Sequence, residues 1–197
     1  MKRLIIHVCN VITVLFSPIL IPVYMFAFLI FSRYGDPSRI KLVQFGIAIL
    51  FSSALHMIPM VLMKRSGKIK SFDLVSRDKR ALPLLFGIWM FIIGYVILKW
   101  FDAKPMTLAA MFCYIFNTII VFIITNWYKI SLHTIGVTGP LVVLAYAFGP
   151  VVYPFFVLIP IVATSRVILK RHTLGQVIAG AAVGLFVTPL LLYLYFL

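Results

Sequence analysis

Long apolar runs separated by short basic loops account for nearly the whole chain. They extend from Leu4 to about Phe31, Ile40 to Met63, Ala81 to Leu98, Met106 to Tyr128, from just after His133 to Ala163, and Leu174 to Leu197. About 20 apolar residues in a helix cross the roughly 30 Å hydrocarbon layer of a bilayer. The pattern therefore predicts an all-α, polytopic membrane bundle of six to seven transmembrane helices. Because the spans use up almost every residue, residues 1–197 are expected to form one membrane domain with no soluble appendage.

Details within the runs refine this. Lys2 and Arg3 precede a first run too long for a signal-peptide core and without a small-residue cleavage site, so it reads as an uncleaved span. Pro18 and Pro22 are expected to kink it. Gly35-Asp36-Pro37-Ser38 reads as a turn followed by a helix start. His56 reads as a hydrogen-bonded packing residue, and Asn117 and Asn126 as side chains bonding across to neighbouring helices. The last run opens with Gly175, Ala179, Gly180, Ala181, Ala182 and Gly184, small residues that allow close helix packing.

Composition agrees with the pattern. The chain is 63% hydrophobic over 197 residues, with a mean hydropathy of +1.14, more apolar surface than a soluble domain of this length can bury. Its net charge is +14, from 18 Lys and Arg against four acids, Asp36, Asp73, Asp78 and Asp102. Cations confined to short interhelical loops point to anionic headgroups and phosphorylated substrates, not nucleic acid. Cys9 and Cys113 both lie inside apolar runs and read as small buried hydrophobes. Four acids and four histidines, His7, His56, His133 and His172, offer neither a carboxylate pair nor a His-x-x-x-His spacing. No metal or other cofactor is expected on that pattern.

Two basic clusters carry candidate chemistry. Ser165-Arg166, five further residues and His172 lie between two apolar runs, and Lys129-Ile130-Ser131-Leu132-His133 ends another. Arginine can hold two phosphate oxygens at once, and neutral imidazole is a nucleophile near physiological pH. The plainer account is that these cations anchor helix ends to lipid headgroups.

The order of the clusters resembles the type-2 phosphatidic acid phosphatase superfamily. Its third motif, Ser-Arg-x5-His-x3-Asp, is matched from Ser165 to His172, with Gln176 in the Asp place. Of its second motif, Pro-Ser-Gly-His, Ser131 and His133 stand at the right spacing. The first, Lys-x6-Arg-Pro, is half present: Lys70-x6-Arg77 has the spacing but Asp78 follows, and Arg80 has Pro83 three residues on. The resemblance spans about residues 70–180. It implies a multi-pass protein, as in the bacterial inner membrane, that cleaves a phosphate monoester or diphosphate lipid through a phosphohistidine without metal. By position His172 would be the nucleophile, His133 the general acid and Gln176 the group orienting His172. Arg166, Ser131, Arg77 and Arg80 would bind phosphate. A lipid phosphotransferase of the same fold is one alternative, and a non-catalytic protein that binds or moves anionic lipids is another.

On this reading the stretch between His133 and Ser165 must leave and return within about thirty residues, a short hairpin with sunken ends. Seven crossings put Lys2-Arg3, Lys64–Arg80, Lys129 and Arg166–His172 on one face with 13 of the Lys and Arg, against five opposite. The resemblance implies an outer-face site. The positive-inside bias instead predicts that this face is cytoplasmic. A single cysteine at Ser66, with Cys9 and Cys113 replaced, should then resist a membrane-impermeant thiol reagent on intact cells. Labelling without permeabilisation would reverse the orientation.

Overall fold

The structure is a computed structural model that describes residues 2–32, 39–69, 72, 76 and 78–197. Ten α-helices occur among them, and no strand. The turn read at 35–38 lies outside the described residues, as do Lys70 and Arg77. Five helical runs, 39–65, 81–100, 105–125, 132–168 and 174–196, are long and apolar enough to cross a membrane. The chain divides into two compact units, 1–25 with 130–197, and 26–129.

In the second unit, α3 (Arg39–Ile49) passes through a π-helical turn at Leu50–Ala54 into α4 (Met57–Arg65). Then α5 (Ala81–Trp100) and α6 (Pro105–Thr125) form a closely packed antiparallel pair. Pro105 starts α6 where no backbone N–H is needed. The tight turn before it places Asp102 at φ 48°. The Gln44 amide donates to the Phe101 carbonyl at 2.7 Å and ties α3 to this turn. Trp100 and Trp127, 85% and 74% exposed, stand at opposite ends of the antiparallel pair, as anchors at two membrane interfaces do. At 20 residues α5 is about 30 Å long, matching the hydrocarbon thickness.

Glycines on α5 seat the neighbouring helix. A side chain at Gly94 would meet Phe51 at 2.6 Å, and one at Gly87 would meet the His56 ring at 2.9 Å. His56 lies 4.5 Å from the Phe91 ring, which in turn stacks on Tyr114 at 5.0 Å. It is a packing residue, but among the described residues neither ring nitrogen makes the hydrogen bond expected of it. Asn126 departs from expectation: its amide donates to Phe122 on its own helix at 3.4 Å, not to a neighbour. Placed one turn after Phe122, it finds the nearest carbonyl along its own helix.

In the first unit, the expected single amino-terminal span is two helices, α1 (Lys2–Leu15) and α2 (Ile21–Phe31), α2 being divided between the units at 25–26. Pro18 has no N–H to continue α1. The Ser17 carbonyl and hydroxyl both accept from Leu20 N–H, at 3.0 and 3.3 Å, and restart the chain. Pro22 falls in the first turn of α2, where it causes no kink.

The run 132–168 folds back on itself. α7 (Leu132–Phe148) ends at Gly149, whose φ of 72° and ψ of −148° are open essentially to glycine alone. Pro150 and Pro154 follow in a 3₁₀ stretch, Gly149–Val157, and α8 (Leu158–Ile168) packs against α7. Val137 and Leu141 of α7 share a core with Val152, Val162 and Ile21. The short hairpin read from the sequence is present.

Last come α9 (Leu174–Ala182), a π-helical turn at Val183–Val187, and α10 (Thr188–Phe196). This run packs on α7 through its glycines. A side chain at Gly180 would meet the Ser131 carbonyl at 2.7 Å, and one at Gly184 would meet Thr138 Cβ at 2.5 Å. The small-residue face does what its sequence implies.

Candidate active site

The site forms where α7 begins, α8 ends and α9 begins. Lys170, just past α8, takes a left-handed φ of 53° and reverses the chain. The cost is about 1 kcal/mol for a residue with a side chain. The reversal is held by the Arg166 carbonyl, which accepts from the backbone N–H groups of Arg171 at 3.0 Å and His172 at 3.3 Å. The Arg-x5-His spacing is thus the length of one helix-terminating turn. It delivers His172 back to the end of the helix that carries Arg166.

Thr173 then caps α9. Its hydroxyl accepts from Gln176 N–H at 3.4 Å, while the Gln176 side-chain oxygen accepts from Thr173 N–H at 3.3 Å. This reciprocal capping box satisfies two N–H groups that a helix start otherwise leaves unpaired. The same Gln176 oxygen lies 2.9 Å from His172 Nδ1.

The second cluster joins the first through the backbone. Ser131 N–H donates to the Gln176 carbonyl at 3.1 Å. Hydrogen bonds therefore run without a break from Ser131 through Gln176 and His172 to Arg166. Ser131 caps α7: its oxygen accepts from Thr134 N–H at 3.4 Å and from the Thr134 hydroxyl at 2.9 Å. Ser131 is 0% exposed, Arg166 3% and His172 8%, whereas Lys170 and Thr173 are exposed. His133, on the first turn of α7, is half-buried.

Four sequence candidates, Ser131, Arg166, His172 and Gln176, are therefore linked, with His133 two residues from Ser131. Arg80 stands at the amino-terminal end of α5 in the other unit, where its side chain makes no capping bond, and is 3% exposed. Arg77 lies outside the described residues. Thr173 was not singled out from the sequence, although Thr-x-x-Gln at a helix start is a capping-box signature. Ser131, read as a phosphate donor, has a structural task in its oxygen that Ser-x-x-Thr before a helix also signals. Among the described residues no three His, Cys, Asp or Glu side chains cluster as metal ligands. Comparison of the chain with protein-family models, characterised proteins and solved structures returns no match.

Proposed function

We propose that this protein is a membrane lipid phosphatase acting through a phosphohistidine on His172, without a metal. The hydrogen-bonded chain from Ser131 to Arg166 carries the reading. It groups a buried imidazole, an oriented partner for that imidazole and a buried arginine at one end of membrane helices. Counting the run 132–168 as a pair of crossings, and α1 with α2 as one broken span, gives seven.

Each group has a task. Gln176 holds Nδ1, so His172 presents Nε2 to phosphorus. Arg166 neutralises phosphate oxygens as charge develops in the transition state, the role donors play in an oxyanion hole. His133 gives a proton to the departing oxygen where that oxygen is basic. In the resembling motif, the positions of Arg80 and Arg77 would bind further phosphate oxygens.

Purified protein should release inorganic phosphate from lipid phosphates in excess chelator, and vanadate, a trigonal-bipyramidal phosphate mimic, should inhibit it. Activity that disappears with chelator and returns with a divalent cation would overturn the metal-free mechanism. No release from any lipid phosphate would favour the lipid-binding alternative, which the missing carboxylate at 176 supports.

A further inference from the structure

We propose, resting on the phosphatase reading, that the site is built for phosphoanhydrides and that its substrate is a lipid diphosphate, not a lipid phosphomonoester. The first step is the orientation of one amide. The Gln176 oxygen faces a backbone N–H, that of Thr173, at 3.3 Å. The reversed amide would set its NH₂ against that N–H, donor against donor. The capping box therefore fixes the oxygen toward His172 Nδ1, 2.9 Å away. An oxygen there requires Nδ1 to carry the ring proton, which leaves the lone pair on Nε2.

So the tautomer is fixed, but by a neutral group. When Nε2 bonds to phosphorus the ring becomes cationic, and an amide offsets that charge far less than a carboxylate. In a comparable His–carboxylate pair, replacing the carboxylate by its amide lowers turnover by about 10⁴, although there the amide also reverses the tautomer. Here the tautomer is kept and only the charge is missing. The nucleophile is correctly presented but weakly driven.

The leaving group decides which substrates such a nucleophile can serve. Phosphoryl transfer passes through a loose transition state, with negative charge building on the departing oxygen. A monoester's leaving oxygen is as basic as an alkoxide and departs only as far as His133 protonates it in the transition state. A diphosphate expels a phosphate monoester, whose second pKa is about 6. In the reaction, the Nε2 lone pair attacks the terminal phosphorus and the bridging P–O bond breaks. The bond pair leaves on the lipid monophosphate, and the Nδ1 proton stays on the ring. Water then attacks the phosphohistidine, its proton passing to a phosphate oxygen. The N–P pair returns to Nε2 and inorganic phosphate departs.

A lipid, not a soluble diphosphate, fits the surroundings. Ile168 and Leu174 flank the Lys170–His172 turn and are 42% and 64% exposed, so apolar surface against which a lipid chain can lie borders the turn.

The test compares three substrates on the purified full chain in mixed micelles: a prenyl diphosphate, a phosphatidate and a nucleoside diphosphate. The expected kcat/KM for the prenyl diphosphate exceeds the other two by at least about 100-fold, a part of the carboxylate effect above. Phosphatidate cleaved as fast or faster overturns the substrate class. Preference for the nucleoside diphosphate overturns the lipid source. No release from any of the three removes the phosphatase reading itself. Gln176→Glu keeps the side-chain length and restores charge, so phosphatidate cleavage should gain more than diphosphate cleavage and their ratio should narrow. A purely structural Gln176 would move both rates together, and an unchanged ratio overturns the assigned cause.

Discussion

Replacing His172 with alanine is expected to lower phosphate release by at least about 10⁴-fold on every substrate, because a covalent mechanism without its nucleophile retains only binding and electrostatics. The fold should survive. The His172 ring bonds to the Gln176 side-chain oxygen, and that amide is still held by Thr173 N–H. Loss of the bond to Gln176 costs about 1 kcal/mol. Release should be measured on protein whose elution profile and melting temperature match the wild type. A variant that melts normally and turns over within tenfold of wild type would remove His172 from the mechanism. The substitution separates the catalytic reading from simple anchoring, since an anchoring imidazole at a helix end is dispensable for chemistry.

What the sequence made legible follows from the physics of each signal. Span positions came through because hydrocarbon requires long apolar runs, and α5 and α6 fall within a few residues of the runs that predict them. The amino-terminal run was legible in part: Pro18 marked a break, but the break is complete, one helix ending at Leu15 and another starting at Ile21, and Pro22 does not bend the second. The hairpin was legible because Gly149, Pro150 and Pro154 interrupt a run too short for two straight crossings. Asn126 shows the opposite limit, since a polar side chain in a span can satisfy itself on its own helix.

The site was legible in parts. Ser165 to His172 stood out because its residues are close in the chain, and one turn closes over them. That Ser131 bonds to Gln176, 45 positions away, is a backbone contact, and no side-chain pattern encodes it. Gln176 illustrates how a single-position comparison misleads. Set against an Asp it looks like a lost function. Set in its own turn it is half of a capping box with Thr173, and the amide does two jobs with one oxygen. A carboxylate of the same length could do both as well, so Gln176 makes charge, not geometry, the open variable at the site.

Gly184→Ala is expected to destabilise the protein by about 1–3 kcal/mol, the usual cost of overpacking a filled interface. The added Cβ would stand 2.5 Å from Thr138 Cβ and 2.9 Å from the Gly139 nitrogen. Neither is the flexible end of a side chain, so the helices themselves must separate. Gly180→Ala acts one turn nearer the site. Its Cβ would meet the Ser131 carbonyl at 2.7 Å, displacing the residue whose N–H holds Gln176. That variant should lose turnover as well as stability, because Gln176 and with it the His172 ring follow Ser131. Gly46→Ala on α3 is the control, since nothing lies within 4 Å of its added carbon. Alanine is favoured over glycine in an α-helix by about 1 kcal/mol, so helix propensity alone would stabilise Gly46→Ala and Gly180→Ala alike, while Gly184 lies in the π-helical turn. Thermal unfolding in one detergent therefore isolates packing: Gly46→Ala should melt at or above wild type, and the other two below it. Gly184→Ala melting with Gly46→Ala would mean that the last helix does not approach α7 as closely as the structure has it. Normal turnover in a folded Gly180→Ala would cut the link between Ser131 and the orientation of His172.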